Sequence, residues 1–269
     1  MKNDAPFGAL ARRSLESELM DGTGLDDLGQ RRNVLADLAA VNRLTRTHQP
    51  VLAWLRQAWA RLPPGQAVSV LDVGCGQGDL LREIWHLAWR EQRPVWLTGL
   101  DLHPMCIAAA REASPAAMNI RWLTGNVFEH DPGATDYIVS SQLAHHLRDE
   151  ELVALLRWLQ AHAERGWCIA DLRRHWLPYL GFRWLARAAG WHPVVRIDGT
   201  RSIARACTPQ EWQLLLARAG VAGRVRRHLP YRLTVCSAAP PHQPPPRSPP
   251  PSPGPTREGA PRLQGRLRP

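Results

Sequence analysis

The stretch that most constrains this chain is Val68-Ser69-Val70-Leu71-Asp72-Val73-Gly74-Cys75-Gly76-Gln77-Gly78-Asp79-Leu80-Leu81. A β-branched, apolar run gives way to three alternating glycines, after which apolar residues resume at helical spacing. The pattern predicts a buried strand, a glycine turn and the start of a helix. Such a turn brings backbone against a nucleotide-like ligand with no Cβ in the way, and the free N–H groups of the helix's first turn point to the same place.

The rhythm repeats downstream. Candidate strands at residues 67–73, 95–101, 120–124, 136–141 and 167–171 alternate with helical stretches near 79–91, 104–112 and 149–163. Short apolar strands separated by helices predict an α/β fold with a doubly wound, mostly parallel, Rossmann-like sheet. A ligand is then expected at the carboxyl ends of the strands. Residues 223–228 and 231–237 predict a closing antiparallel hairpin. Thr208-Pro209-Gln210-Glu211 reads as a capped helix start running to Gly220.

Upstream, a short helix at 12–20, a longer one at 25–47 and a third at 51–62, ended by Pro63-Pro64-Gly65, predict an N-terminal helical segment. The expected division is a helical cap at 1–65, a main domain at 66–238 with a lid-like insertion at about 173–206, and a tail at 239–269. Twelve of the tail's thirty-one residues are proline, which predicts a disordered or polyproline-like segment outside the fold. In the insertion Trp176, Leu177, Leu180, Phe182, Trp184 and Leu185 interleave with Arg173, Arg174, Arg183 and Arg187. That composition suits a roof over an apolar site, core filling behind the sheet, or transient contact with a membrane surface.

Composition bounds the partners. No apolar run approaches the roughly 18–20 residues a membrane helix needs, and residues 1–13 lack the apolar core and cleavage site of a signal peptide, so a cytoplasmic location is expected. The five cysteines are odd in number and widely spread, with no Cys-x-x-Cys pair, which argues against a disulfide framework and against a metal site. The formal charge is +10, but five arginines and one glutamate put +4 of it in the tail. Lys2 is the only lysine, so the positive charge is almost all arginine, and nucleic acid is not expected as a partner.

Asp79 immediately after the glycines would repel a pyrophosphate, so the ligand is expected to lack phosphates there. Asp101 closes the second strand, where a carboxylate can accept hydrogen bonds from both hydroxyls of a ribose, or cap the helix that opens at Pro104.

Val70-Leu71-Asp72-Val73-Gly74-Cys75-Gly76-Gln77-Gly78, Thr98-Gly99-Leu100-Asp101, Gly125-Asn126-Val127 and Asp136-Tyr137-Ile138-Val139-Ser140-Ser141 together resemble the ordered motifs of the class I S-adenosylmethionine-dependent methyltransferases. Gln142-Leu143-Ala144-His145-His146-Leu147 is similar to the subgroup acting on small molecules, including quinone and polyketide methyltransferases. The resemblance implies S-adenosyl-L-methionine as cofactor. Gly74, Cys75, Gly76 and Gly78 would then hold its methionine part, with Asp72 supporting the turn, Asp101 and Leu102 its ribose, and Asn126 and Val127 its adenine. Asn126 stands where the family usually has an aspartate, and its amide oxygen can accept the same hydrogen bond. Ser141 and Gln142 would lie near the sulfonium, and His145 and His146, with His175 next, are the candidate bases. The implied activity is methyl transfer to a small, hydrophobic or phenolic acceptor, as in secondary metabolism. Two rivals stand beside it: a catalytically silent cofactor-binding module and, less favoured, an NAD-dependent oxidoreductase, for which the third spaced glycine and a tyrosine-lysine pair are missing.

Overall fold

In the structure, a computed structural model that describes residues 10–19, 41–42 and 44–238, the predicted alternation of strand and helix is present throughout the main domain. The strands are β1 (Val68–Val73), β2 (Val95–Asp101), β3 (Arg121–Thr124), β4 (Thr135–Ser141), β5 (Ala163–Leu172), β6 (Gly223–His228) and β7 (Arg232–Ser237). The helices are α1 (Gln49–Trp59), α2 (Asp79–Arg90), α3 (Pro104–Ala113), α4 (Asp149–His162), α5 (Trp176–Ala188), α6 (Pro193–Arg205) and α7 (Pro209–Ala219).

One seven-stranded sheet runs in the order β3-β2-β1-β4-β5-β7-β6. β1 to β5 are mutually parallel, and β7 lies antiparallel between β5 and β6, as the predicted hairpin requires. The order reverses direction at β1, between β2 and β4, so the ends of β1 and β4 flank the switch point where such sheets bind ligands.

Successive strand residues feed opposite cores, which is why the strands read as unbroken apolar runs. Leu71, Val73, Ile138, Trp167, Ile169 and Val235 pack against Leu155 and Leu159 of α4 and Trp212 and Leu215 of α7. Val68, Val70, Val139, Cys168 and Ala170 pack against Val51, Leu55 and Trp59 of α1 and Leu81 and Ile84 of α2 on the other face. Each such fully buried side chain contributes about 1.5–3 kcal/mol, so the sheet is held rigidly from both sides.

Boundaries shift where polar residues hide a strand. β5 begins four residues before the predicted 167. Glu164-Arg165-Gly166 looks like a loop, but Arg165 Nε donates to the buried Asp136 carboxylate at 2.7 Å, and a Cβ on Gly166 would stand 2.9 Å from Ser237 Oγ. α7 starts as predicted: Thr208 Oγ1 accepts from Glu211 N–H, Glu211 Oε2 accepts from Thr208 N–H at 2.7 Å, and Gly220 closes the helix at φ 69°.

The N-terminal prediction needs correction. Residues 13–18 form no helix and run as an extended strap across α6. Their backbone is claimed from outside: Ser14 N–H donates to Ala204 O, and Arg201 and Arg205 donate to Ser17 O and Glu16 O. A segment whose carbonyls are taken by distant arginines has no use for its own i→i−4 bonds. Most of the predicted helix at 25–47 and all of the proline-rich tail at 239–269 lie outside the described residues.

The insertion forms two helices, α5 and α6. Phe182 packs onto Gly199, where an added Cβ would meet its ring at 2.1 Å, and Trp191 lies 5.8 Å from the same ring. Trp184 is 75% exposed and Trp176 40%, so these two belong to the surface and not to the core behind the sheet.

Candidate active site

The glycine turn leaves β1 with Gly74, Gly76 and Gly78 all at positive φ (71°, 52° and 79°). It is stapled to the neighbouring strand. Leu100 O accepts from both Gly74 N–H (2.8 Å) and Cys75 N–H (3.1 Å), and Gly76 N–H donates to Asp101 Oδ2 at 2.8 Å. The other Asp101 oxygen accepts from His103 N–H at 2.9 Å. One carboxylate therefore fixes the turn and caps the entry to α3, and its remaining lone pairs are left for a ligand.

Gly78, the N-cap of α2, is required twice over. Its φ disfavours any side chain, and an added Cβ would stand 2.3 Å from the Trp122 ring. Gly99 on β2 makes room for the same ring, with an added Cβ 2.6 Å from it and 2.9 Å from Cys75 Sγ. At Gly76, in contrast, nothing lies within 4 Å of where a Cβ would be, so this peptide faces open space. Asp79 is paired with Arg82, whose Nη1 donates to Gln77 O at 2.7 Å, so its charge is locally compensated.

Buried polar atoms without partners gather here. Asp72 Oδ1 at the end of β1, and Ser141 Oγ and Gln142 Oε1 at the end of β4, are buried and make no hydrogen bond. Burial, and then the nearby Asp101 carboxylate, hold the Asp72 carboxyl well above its ordinary range. Gln142 has φ 64°, uncommon for a residue with a side chain and costing of order 1–3 kcal/mol. Strain and unmet hydrogen-bonding capacity at the switch point are what a polar ligand would relieve.

Leu102 (61% exposed) and Phe128 (40%) leave apolar surface uncovered, and Val127 is half-buried against the core. Asn126 is the N-cap of a short 3₁₀ turn at Val127–Glu129: its Oδ1 accepts from Phe128 N–H at 3.1 Å and its Nδ2 donates to Glu129 at 3.2 Å. One lone pair of its amide oxygen is thus already engaged.

His145 and His146 do not stand open to an acceptor as a pair. They form a 3₁₀ turn after β4, with rings 4.3 Å apart. His145 is buried: its Nδ1 lies 2.7 Å from Asp171 Oδ1, at the end of β5, and its Nε2 lies 3.5 Å from Glu18 Oε1, on the strap. Burial works to raise the Asp171 carboxyl, but the His145 imidazole and the N–H groups of Leu172 and His145 outweigh it and hold the group below its ordinary range. His146 keeps 28% of its side chain exposed, with Nε2 3.9 Å from Glu18 Oε2. His175 is elsewhere, capping α5 by accepting from Leu177 N–H.

Glu18, Arg13 and Arg205 were not singled out by sequence reasoning, and Asp171 was given no part in the site. Arg205 donates to the carbonyls of His145 and His146, both at 2.9 Å, and Arg13 to those of Ala144 and Leu147. Only Asp171, at a strand's carboxyl end, carried a sequence signal. A cleft of about 350 Å³ between α5 and α6 presents Arg183, Arg187 and Arg196, and no residue of the glycine turn lines it.

A parallel sheet with its reversed strand between β5 and β6, and a glycine turn bonded to a carboxylate at the end of the next strand, define a Rossmann-like domain of the class that binds nucleoside cofactors. The profile of the family described as Methyltransferase domain matches residues 70–166, from β1 into β5. Over these residues the chain is a methyltransferase domain. No curated protein matches the chain by sequence. Among solved structures, the plantazolicin methyltransferase BamL, with a triazolic desmethylPZN analog and SAH, is similar at 18% identity and TM-score 0.56, covering 74% of this chain and 73% of that one. The plantazolicin methyltransferase BpumL with SAH is similar at 15% identity and TM-score 0.57, covering 78% and 90%. The pyocyanin biosynthetic protein PhzM is similar at 19% identity and TM-score 0.55, covering 83% and 62%. At these identities the likeness is one of fold.

Proposed function

We propose that this chain transfers a methyl group from S-adenosylmethionine to a small acceptor of hydrophobic or phenolic character. The observation that carries the reading is the convergence of Asp101, tied to the glycine turn, with three buried unpartnered polar atoms of Asp72, Ser141 and Gln142 around one switch point.

The residues fit the cofactor. Gly74, Cys75, Gly76 and Gly78 offer backbone to the methionine part, with open space at Gly76, and Asp72 Oδ1 an acceptor for its ammonium. Asp101 accepts from the ribose hydroxyls, Leu102 and Val127 cover apolar ring surface, and the free lone pair of Asn126 meets the adenine amine. When bound, S-adenosylmethionine supplies an electrophilic methyl for in-line displacement by an acceptor atom. The chain's own contribution is orientation and exclusion of water, with Ser141 and Gln142 holding polar groups near the sulfonium. His145 acts by position and not by proton transfer, since its ring faces carboxylates on both sides.

The strap and the α5–α6 pair form the cover on the acceptor side, an arrangement in keeping with the 173–206 insertion serving as a lid. The neighbouring plantazolicin methyltransferases hold azole-bearing ligands, and PhzM belongs to pyocyanin biosynthesis, which supports a small acceptor with conjugated rings. No helix among the described residues is long and apolar enough to cross a membrane.

Calorimetry with S-adenosylmethionine, its demethylated product and NAD tests the cofactor: binding of NAD in place of the first two would overturn the proposal. Mass spectrometry on extracts and on a panel of phenols, quinones and azoles, read for the gain of one CH₂, tests the transfer. Tight cofactor binding with no methylated product in any arm would favour a silent cofactor-binding module.

A further inference from the structure

We propose that Glu18, His145 and His146 bind a divalent transition metal of the Zn²⁺ type, with Asp171 as the carboxylate that orients His145. One ligand atom from each of the three residues comes together in a group whose members all lie within 4.8 Å of one another. His145 Nε2 is 3.5 Å from Glu18 Oε1, and His146 Nε2 is 3.9 Å from Glu18 Oε2. Both separations exceed the usual hydrogen-bond range of about 2.7–3.2 Å. Bonds of about 2.0–2.1 Å to a tetrahedral ion place ligand atoms about 3.4 Å apart, so a small contraction brings the three donors to bonding distance.

The proton inventory points the same way. Asp171 Oδ1 accepts from Leu172 N–H at 2.6 Å and Oδ2 from His145 N–H at 2.8 Å, as an ionised carboxylate does. It can only accept from His145 Nδ1 as well, at 2.7 Å, which puts a ring proton on Nδ1 and turns Nε2 away from Asp171. His145 Nε2 faces the carboxylate of Glu18, which is buried and held by Ser202 Oγ at 2.8 Å. A ring nitrogen and a carboxylate pointed at each other in a buried site repel unless a proton or a metal cation lies between them. The nearest guanidinium groups do not fill that role: Arg13 and Arg205 spend their donors on the carbonyls of Ala144, His145, His146, Leu147 and Glu16 and on Asp149.

A carboxylate behind a histidine's second nitrogen is the usual outer partner of a metal-bound imidazole. Two imidazoles and one carboxylate suit Zn²⁺ and its first-row neighbours, whereas Mg²⁺ and Ca²⁺ take oxygen ligands. The cysteine pattern argued against a metal site, and the ligand set proposed here, which uses no thiol, departs from that expectation. With one ligand on the strap and two beside the end of β4, the ion pins the N-terminal segment over the acceptor side of the domain.

The test uses the full chain, stripped with a chelator and titrated with Zn²⁺. One ion binds per chain by calorimetry and elemental analysis, Mg²⁺ does not compete, and Co²⁺ in its place gives the intense visible bands of a four-coordinate site. Glu18→Gln and His146→Asn each weaken Zn²⁺ binding at least about tenfold. His86→Asn, on the exposed side of α2, leaves it unchanged. Circular dichroism and a cofactor titration run on each variant separate loss of the ion from loss of fold and from failure of the methyltransferase reading. Absence of saturable binding, or equal affinity in both ligand variants and the unaltered chain, would overturn the assignment in favour of a doubly protonated His145 held between Asp171 and Glu18.

Discussion

Replacing Asp101 by asparagine probes the junction between the glycine turn and the cofactor. In the native chain one carboxylate oxygen accepts from Gly76 N–H at 2.8 Å and the other from His103 N–H at 2.9 Å, at a side chain that is 8% exposed. Asparagine has the same shape but only one oxygen. Its NH₂ must face one of those two N–H groups, so one backbone donor is left unpaired, and the charge that attracts ribose hydroxyls is gone. A hydrogen bond to a charged group contributes about 1.5–3 kcal/mol. Loss of one such bond to the turn should lower stability by that amount, or roughly 3–12 °C in Tm at about 2–4 °C per kcal/mol for a domain of this size. Loss of one to the ribose should weaken cofactor binding by about the same energy, roughly 10- to 150-fold. Calorimetry with the demethylated cofactor and a thermal melt read the two effects separately. Asp136→Asn is the control: that buried carboxylate holds Ser69 and Arg165 elsewhere on the sheet, so the variant should lose Tm and keep its Kd. A Kd for Asp101→Asn within about threefold of the unaltered protein would refute the ribose assignment, and an unchanged Tm would refute the staple.

Further predictions rest on single contacts. Because burial raises the folded-state pKa of Asp72, the folded chain binds a proton there that the unfolded chain has lost. Asp72 therefore costs stability increasingly as pH rises from the ordinary carboxylate range through its raised pKa. The Tm of Asp72→Asn relative to the unaltered protein should move upward between about pH 5 and pH 8, and a pH-independent difference would contradict it. Gly99→Ala drives a methyl group into the Trp122 ring and should cost about 1–3 kcal/mol by denaturant titration, with Trp122 fluorescence shifting; a neutral effect would show that the ring is not pressed on the strand. Thr208→Ala removes half of the α7 capping box and should cost about 0.5–2 kcal/mol with cofactor affinity unchanged, whereas a silent substitution would mean that Glu211 and Pro209 suffice to start the helix.

Legibility followed the range of the interactions. The β1 strand, the turn, the α2 start and Asp101 all appeared in the sequence because each is dictated by residues within a few positions or by the strand–helix period. The capping box at Thr208 was readable for the same reason. Asn126, just past β3, was legible as an amide, but the bond by which its oxygen caps the turn to Phe128 was not, a local competition that residue type alone does not weigh. The start of β5 was missed because Arg165 looks like a loop residue until Asp136, twenty-nine positions earlier, is brought beside it.

The histidine pair marks where sequence reading stops. From the chain alone His145 and His146 are two imidazoles after a strand, equally suited to take a proton or to fill a loop. Tertiary structure decides their surroundings, by bringing Asp171 from β5 to one nitrogen of His145 and Glu18, 127 residues upstream, to the other. It also turns a polar N-terminal stretch predicted as helix into a strap, because Arg201 and Arg205 take the carbonyls its own turns would have used. Short-range sterics and periodicity therefore determined the sheet, the glycine turn and the carboxylate opposite it. The strap across α6, and the surroundings of the histidines beside it, come from contacts between segments that only the packed fold brings together.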